Sequence, residues 1–261
     1  MSAPAPLLCA RIGNSHTTLG LVRAGEVEAV WRVSTDQRRT ADEWQVLVRG
    51  LLGERIAEIE GIAVCATVPA VLHEWRDMLG RHFAGVRSVV VEPGVRTGVP
   101  ILMDNPREVG TDRIANALAA VTIYGGPAIV VDFGGTATTF EVVSPQGQYV
   151  GGAIAPGLEV SLEALGRRGA QLRRVELARP RSVIAKNTVE AVQSGMVFGM
   201  AAQVEGIVAR MIAALEAPAE EVRVISTGYL ADIVTAECAC FTDHSPGLTL
   251  LGLELVFLRN S

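Results

Sequence analysis

One stretch of this chain occurs twice. Arg11 to Val22 (RIGNSHTTLGLV) lies over Asp132 to Val143 (DFGGTATTFEVV) without a gap, and the glycine, hydroxyl and double-threonine positions coincide. The context repeats as well. A short apolar run precedes each copy, Leu7 to Ile12 and Pro127 to Asp132. A turn follows each, at Ala24 and Gly25 and at Pro145 to Gly147, and then more β-type residues, Val27 to Val33 and Tyr149 to Ile154. β-rich runs separated by glycine turns read as three-stranded antiparallel meanders. A chain of 261 residues has room for two ordinary domains. A duplicated α/β domain is therefore expected, with residues 1–115 as the first copy and 116–261 as the second.

Strands and helices alternate around the meanders. Ala41 to Ile59 carries Trp44, Leu47, Val48, Leu51 and Leu52 at helical spacing. Ile62 to Ala66 and Ser88 to Val91 read as strands, with a helix between them over Ala70 to Phe83. In the second half a long helix is expected over Thr188 to Leu215, a strand over Val222 to Ser226 and a short helix over Leu230 to Ala236.

Composition narrows the partners. The net charge of −5 leaves no basic surplus for nucleic acid or an anionic membrane. Charges or prolines interrupt every apolar run before it reaches spanning length, and Met1 to Pro6 lacks the basic start and apolar stretch of a secretion signal. A cytoplasmic protein is expected, with neither nucleic acid nor membrane as partner. Cys9, Cys65, Cys238 and Cys240 read as core or near-core thiols, because only His244 stands near the last two to complete a metal set. His16, His73, His82 and His244 show no ligand spacing, and Arg167, Arg168, Arg173 and Arg174 read as a solvated helix-to-loop face.

The repeated loops carry chemistry. A glycine turn between strands exposes backbone N–H groups to which an anion can come close, and Asn, Ser and Thr side chains add donors. Two such loops facing one another would clamp a polyphosphate, and an Asp at the end of the preceding strand would hold a cation. Taken singly, each loop is equally an ordinary hairpin turn. A third constellation runs from Asp104 to Arg113 (DNPREVGTDR), where Asn105 and Pro106 break the chain, Gly110 turns it, and Asp112 and Arg113 open a helix. Asp112 has two readings: a residue favoured by the helix dipole, or a general base beside a carboxylate- or phosphate-binding Arg113.

These motifs together resemble the type III pantothenate kinases. The matching pieces are Ile12 to Ser15, Gly110 to Arg113, Asp132 to Gly134 with Thr136 to Thr139, Gly151 to Gly157, Lys186 to Val189 with Gln193 to Gly195, and Thr227 with Gly228. The resemblance implies duplicated ribonuclease H-like (actin/hexokinase-like) domains. Each would have a mixed five-stranded sheet flanked by helices, with a cleft between the two. It implies phosphorylation of pantothenate by ATP to 4'-phosphopantothenate, the first step toward coenzyme A, in a homodimer using Mg²⁺ and a monovalent cation, K⁺ or NH₄⁺. It also implies residue roles. Asp112 is the base, and Gly110, Thr111, Arg113 and Thr188 meet pantothenate, Thr188 from the partner subunit. Gly13, Asn14, Ser15, Gly134, Gly135, Thr136, Thr227 and Gly228 meet ATP, and Asp132 meets the cation.

The chain departs from the family pattern at three places, all on the ATP side. Arg11 stands where the first motif begins with Asp, as Asp132 begins the second copy. Gly135 adds a residue to the second loop, which flips side-chain alternation unless a bulge absorbs it and sets Glu141 near the family's Asp. Tyr229 replaces a glycine and brings a ring toward the adenosine. The alternative expectation is therefore a catalytically impaired relative that binds ligand or regulates.

Overall fold

A computed structural model describes residues 5–168 and 175–261. In chain order its elements are β1 (Leu7–Ile12), β2 (His16–Arg23), β3 (Glu26–Ser34), α1 (Ala41–Leu52), β4 (Gly61–Ala66), α2 (Pro69–His82), β5 (Arg87–Val90) and α3 (Thr111–Tyr124). Then follow β6 (Ala128–Phe133), β7 (Ala137–Val143), β8 (Tyr149–Pro156), α4 (Leu158–Arg168), α5 (Thr188–Ala214), β9 (Arg223–Thr227), α6 (Ala231–Thr235), β10 (Asp243–His244) and α7 (Leu248–Arg259). They form two compact units. The first comprises Met1–Val99, Asp104–Ala119 and Gly247–Ser261, and the second Pro100–Met103 and Ala120–Pro246. The expected division at 115/116 falls inside α3, and α7, counted with the second domain from the sequence, packs in the first unit.

The first unit holds a five-stranded sheet in the order β3-β2-β1-β4-β5, with β1 antiparallel to β2 and parallel to β4. Leu8, Ala10 and Ile12 point to a core filled by Trp44 of α1 and Trp75 of α2, whose rings lie 5.5 Å apart. Thr40 caps α1, accepting from the Glu43 N–H while the Glu43 carboxylate accepts from the Thr40 N–H. The helix ends at Leu52, short of the expected Ile59, because Gly53 takes φ 56 and a 3-10 turn follows. α7 packs in the same unit against β1, β2 and β4. Gly20 leaves room for Leu250, and Gly61 for the Phe257 ring. Gly252 meets the Ala115 carbonyl so closely that a Cβ there would overlap it, and Thr249 donates to Asn116 at 2.7 Å beside it.

Glu254 of α7 is buried and accepts the N–H groups of Ala24 and Gly25 at the β2–β3 turn, the latter at 2.9 Å. Burial pushes its carboxyl above the ordinary value, and these two hydrogen bonds only partly oppose the shift. A raised acid binds its proton more tightly in the folded chain. The stability this confers is fully present below the ordinary carboxylate range and is lost as pH rises through the raised value. Glu254→Gln is thus expected to gain on the wild type in thermal midpoint as the pH rises from the ordinary carboxylate range through the raised value. A difference between the two proteins that stays constant with pH would contradict this.

The second unit repeats the first in the order β10-β9-β6-β7-β8, with β6 antiparallel to β7 and parallel to β9. Ile129, Val131, Phe133 and Phe140 pack against Met196, Met200, Val204 and Val208 along one face of α5. By length and composition α5 is apolar enough to cross a membrane, with a mean hydropathy of 1.4 over an 18-residue window. Glu190, Glu205 and Arg210 interrupt it, as expected from the sequence, and its Met196, Met200, Val204 and Val208 face serves the core. Among the described residues of α4, Arg167 and Arg168 are exposed as expected, while Arg173 and Arg174 lie outside the described residues.

The duplication extends to single hydrogen bonds. Arg11 pairs with Thr18 and Ile12 with Thr17, as Asp132 pairs with Thr139 and Phe133 with Thr138. Gly13 N–H donates to the His16 carbonyl as Gly134 N–H does to that of Ala137. Both meanders carry a register shift at equivalent places, between Leu21 and Val22 and between Val142 and Val143. The second loop is therefore no longer than the first, and Gly135 introduces no slip relative to it.

Candidate active site

In the first unit the Gly110–Arg113 segment is fixed from both sides. The Thr111 hydroxyl donates to the Ala66 carbonyl at 3.2 Å and accepts from the Ala66 N–H at 3.1 Å, which ties the start of α3 to the end of β4. Asp112, the next residue, is 8% exposed. Its Oδ1 accepts the Arg113 N–H at 3.0 Å. Its Oδ2 accepts from Arg11 at the end of β1, from Nε at 3.3 Å and from Nη2 at 3.0 Å. Residue 11, where the sequence raised only a lost carboxylate, thus holds the expected base.

The first loop is pinned by its carbonyls. Ser15 O accepts from Thr35 N–H at 2.9 Å and Ile12 O from Thr67 N–H at 2.9 Å, while Asn14 and Ser15 are exposed. The equivalent carbonyls of the second loop are used the same way. Thr136 O accepts from Gly157 N–H at 2.9 Å and Phe133 O from Leu230 N–H at 3.4 Å. A turn whose carbonyls bind into the fold is suited to meeting an anion with its N–H side.

The loops differ in what covers them. Tyr229 donates to Glu159 Oε2 at 2.6 Å. A Cβ on Gly135 would overlap both the Tyr229 hydroxyl and the Glu159 carboxylate. Gly135 is buried, whereas Thr136 is exposed. The extra glycine and the unexpected tyrosine therefore belong together, since a Cβ at residue 135 would have to displace the side-chain ends that make that hydrogen bond. Glu159 was missed from the sequence. Its signal was a carboxylate in the first turn of a helix that opens just after Pro156 and Gly157.

Asp132 is 1% exposed at the end of β6, opposite Thr139 on one side and Thr227 on the other. Glu141 is fully buried two residues beyond Thr139 and accepts from its hydroxyl at 2.6 Å. Period-2 alternation sets Asp132, Thr139 and Glu141 on one face of the sheet, away from the Phe133 and Phe140 core. Gly228, at φ 93, lies against this carboxylate, and a Cβ there would come 2.5 Å from Asp132 Oδ1. Thr188 follows the Asn187 cap of α5 and is exposed.

Asp112, Arg11, Thr111, Arg113 and the first loop thus belong to one unit, and Asp132, the second loop, Thr227, Gly228 and Thr188 to the other. Comparison with known proteins gives this arrangement a family. The family model described as "Type III pantothenate kinase" matches residues 7–210. A type III pantothenate kinase of Nocardioides sp. is 77% identical over 256 residues, covering 98% of this chain and 100% of that one. That of Streptomyces griseus is 61% identical over 261 residues, covering 97% and 98%. In fold the chain also resembles a ROK hexokinase from Thermus thermophilus, at 14% identity and a TM-score of 0.52 over 98% of this chain and 100% of that one. With two mixed five-stranded sheets flanked by helices on an actin/hexokinase-like plan, the chain belongs to the type III pantothenate kinase family, the ATP-dependent kinases that phosphorylate pantothenate at the entry to coenzyme A.

Proposed function

We propose that the chain moves the γ-phosphoryl group of ATP to the primary hydroxyl of pantothenate with Asp112 as the base. The observation that carries this role is the placement of Asp112, a buried carboxylate held by Arg113 and Arg11 at the start of α3, which Thr111 anchors to Ala66. The hydroxyl oxygen forms the new bond to phosphorus, the bond from phosphorus to the ADP oxygen breaks, and the hydroxyl proton passes to Asp112. Gly110, Thr111 and Arg113 would meet pantothenate, with Thr188 supplied by the second subunit of a homodimer. Because the Thr111 hydroxyl already binds the Ala66 backbone, its contribution would be to position the segment. Gly13, Asn14, Ser15, Gly134, Thr136, Thr227 and Gly228 would line the ATP phosphates and nucleoside, with Gly135 supporting them from beneath Tyr229. The assignment is to a cytoplasmic enzyme with no nucleic acid or membrane partner.

The two expected cations fare differently. Asp132, with Thr139, Glu141 and the cradle left by Gly228, offers oxygen donors suited to a hard monovalent ion. K⁺ or NH₄⁺ held there would add positive charge for the transferred group. A guanidinium at residue 11 does not suit Mg²⁺, which would instead be carried mainly on the ATP phosphates. One observation favours the reading of a ligand-binding relative without turnover, namely that the proposed base is already ion-paired with Arg11. Incubating the purified protein with labelled ATP, pantothenate, Mg²⁺ and K⁺ decides between them. Labelled phosphopantothenate supports the kinase, and calorimetric binding of pantothenate without product supports the relative.

A further inference from the structure

Residue 11 is the position at which the two copies of the repeat carry opposite charges at a strand end. The equivalence rests on backbone as well as sequence, since Arg11 faces Thr18 across its meander as Asp132 faces Thr139. The guanidinium is drawn in rather than extended into solvent. Its side chain is 22% exposed and that of Asp112 11%. Two of its nitrogens converge on one oxygen of the carboxylate, and the Arg113 N–H holds the other. A half-buried, forked contact of this kind fixes a carboxylate far better than an exposed ion pair does.

We propose, on the reading of Asp112 as base, that Arg11 is its positioning residue and supplies the positive charge that a metal-bound carboxylate at this strand end would otherwise organise. Before reaction the guanidinium is balanced by the ionised Asp112, an attraction that weakens as Asp112 takes the hydroxyl proton and so by itself opposes the transfer. Arg11 raises kcat on this proposal through the fixed orientation of the carboxylate, and through the guanidinium charge left uncovered for the oxygens of the phosphoryl group in transit.

Steady-state kinetics of Arg11→Ala, Arg11→Lys and Arg11→Asp test this, with saturating Mg²⁺ and K⁺ and with thermal melts to confirm folding. Arg11→Ala is expected to lose about 100-fold in kcat with KM for pantothenate within about threefold. Millimolar guanidinium ion should restore at least tenfold of the loss, and Arg11→Lys should lie between alanine and wild type, because a point charge cannot reproduce the fork. Arg11→Asp should fall to the alanine level or below it, however much Mg²⁺ is added. Rescue by a free guanidinium ion is a response that loss of folding or packing would not give. An aspartate variant that matches or exceeds the wild type overturns the proposal, marking Arg11 as inert or obstructive. So does an alanine variant with unchanged kcat, or a loss that guanidinium does not repair. If the wild type and all three variants bind pantothenate and none turns over, the kinase reading fails and the proposal with it.

Discussion

Asp112→Asn is expected to lower kcat for pantothenate phosphorylation on the order of 1,000-fold, with KM for pantothenate within about threefold. Asparagine has the shape of aspartate and keeps an oxygen to accept the Arg113 N–H. The start of α3 stays anchored through Thr111 and Ala66. What disappears is the capacity to take a proton and the negative charge opposite Arg11. A factor of 1,000 corresponds to about 4 kcal/mol of transition-state stabilisation. The competing role for Asp112, a carboxylate in the first turn of a helix, predicts a different result. Losing its dipole interaction and its half-buried pairing with Arg11 would cost stability and leave the chemical step alone. Unfolding by urea and single-turnover kinetics on the same variant separate the two. A stability loss with kcat intact would make Asp112 a structural residue and remove it from the chemistry.

The meanders were readable because their turns are written in residues with few alternatives. Gly25 takes φ 81 and Gly147 takes φ 74, which glycine tolerates without strain. α7 was not readable. Leu248, Leu250, Leu253, Val256 and Phe257 are all buried, and a helix buried on most of its circumference has no 3.6-residue apolar stripe to detect. α1 was drawn too long because the apolar spacing continues past Gly53, and only the backbone shows the helix stopping there.

At the candidate site the residue types were legible and their partners were not. Asp112, Asp132 and the loop glycines stood out as motifs. Arg11 stood out as a departure, but its contact is made across 101 residues of sequence, and charge complementarity at that distance has no periodicity to reveal it. The same holds for Gly135, Tyr229 and Glu159. Read singly, an extra glycine and a bulky ring suggest damage to a nucleotide loop. Folded, the tyrosine hydroxyl binds the glutamate in the space above the glycine, so two of the three departures account for one another.

Gly228→Ala is expected to destabilise the chain by about 4 kcal/mol, a large share of the roughly 10 kcal/mol typical of a folded domain. Two costs add. Gly228 has φ 93, a conformation that costs a residue with a Cβ about 1–2 kcal/mol. The new Cβ would also lie 2.5 Å from Asp132 Oδ1 and 2.7 and 2.8 Å from the Phe133 carbonyl oxygen and nitrogen. Two of those three atoms are backbone, so relief requires moving the end of β6, and overpacking of this kind adds about 2–3 kcal/mol. The strand end that must move bears Asp132 and feeds the second loop, so KM for ATP should rise in whatever fraction stays folded. Gly195→Ala is the control. It lies on the exposed side of α5 with nothing within 4 Å of a new Cβ, and replacing a helical glycine by alanine should stabilise by up to about 1 kcal/mol. Urea unfolding of both variants shows whether the penalty belongs to the position. A loss below about 1 kcal/mol for Gly228→Ala would mean that β9 does not press against Asp132 as closely as the structure has it, and that the carboxylate has room to accept a different neighbour.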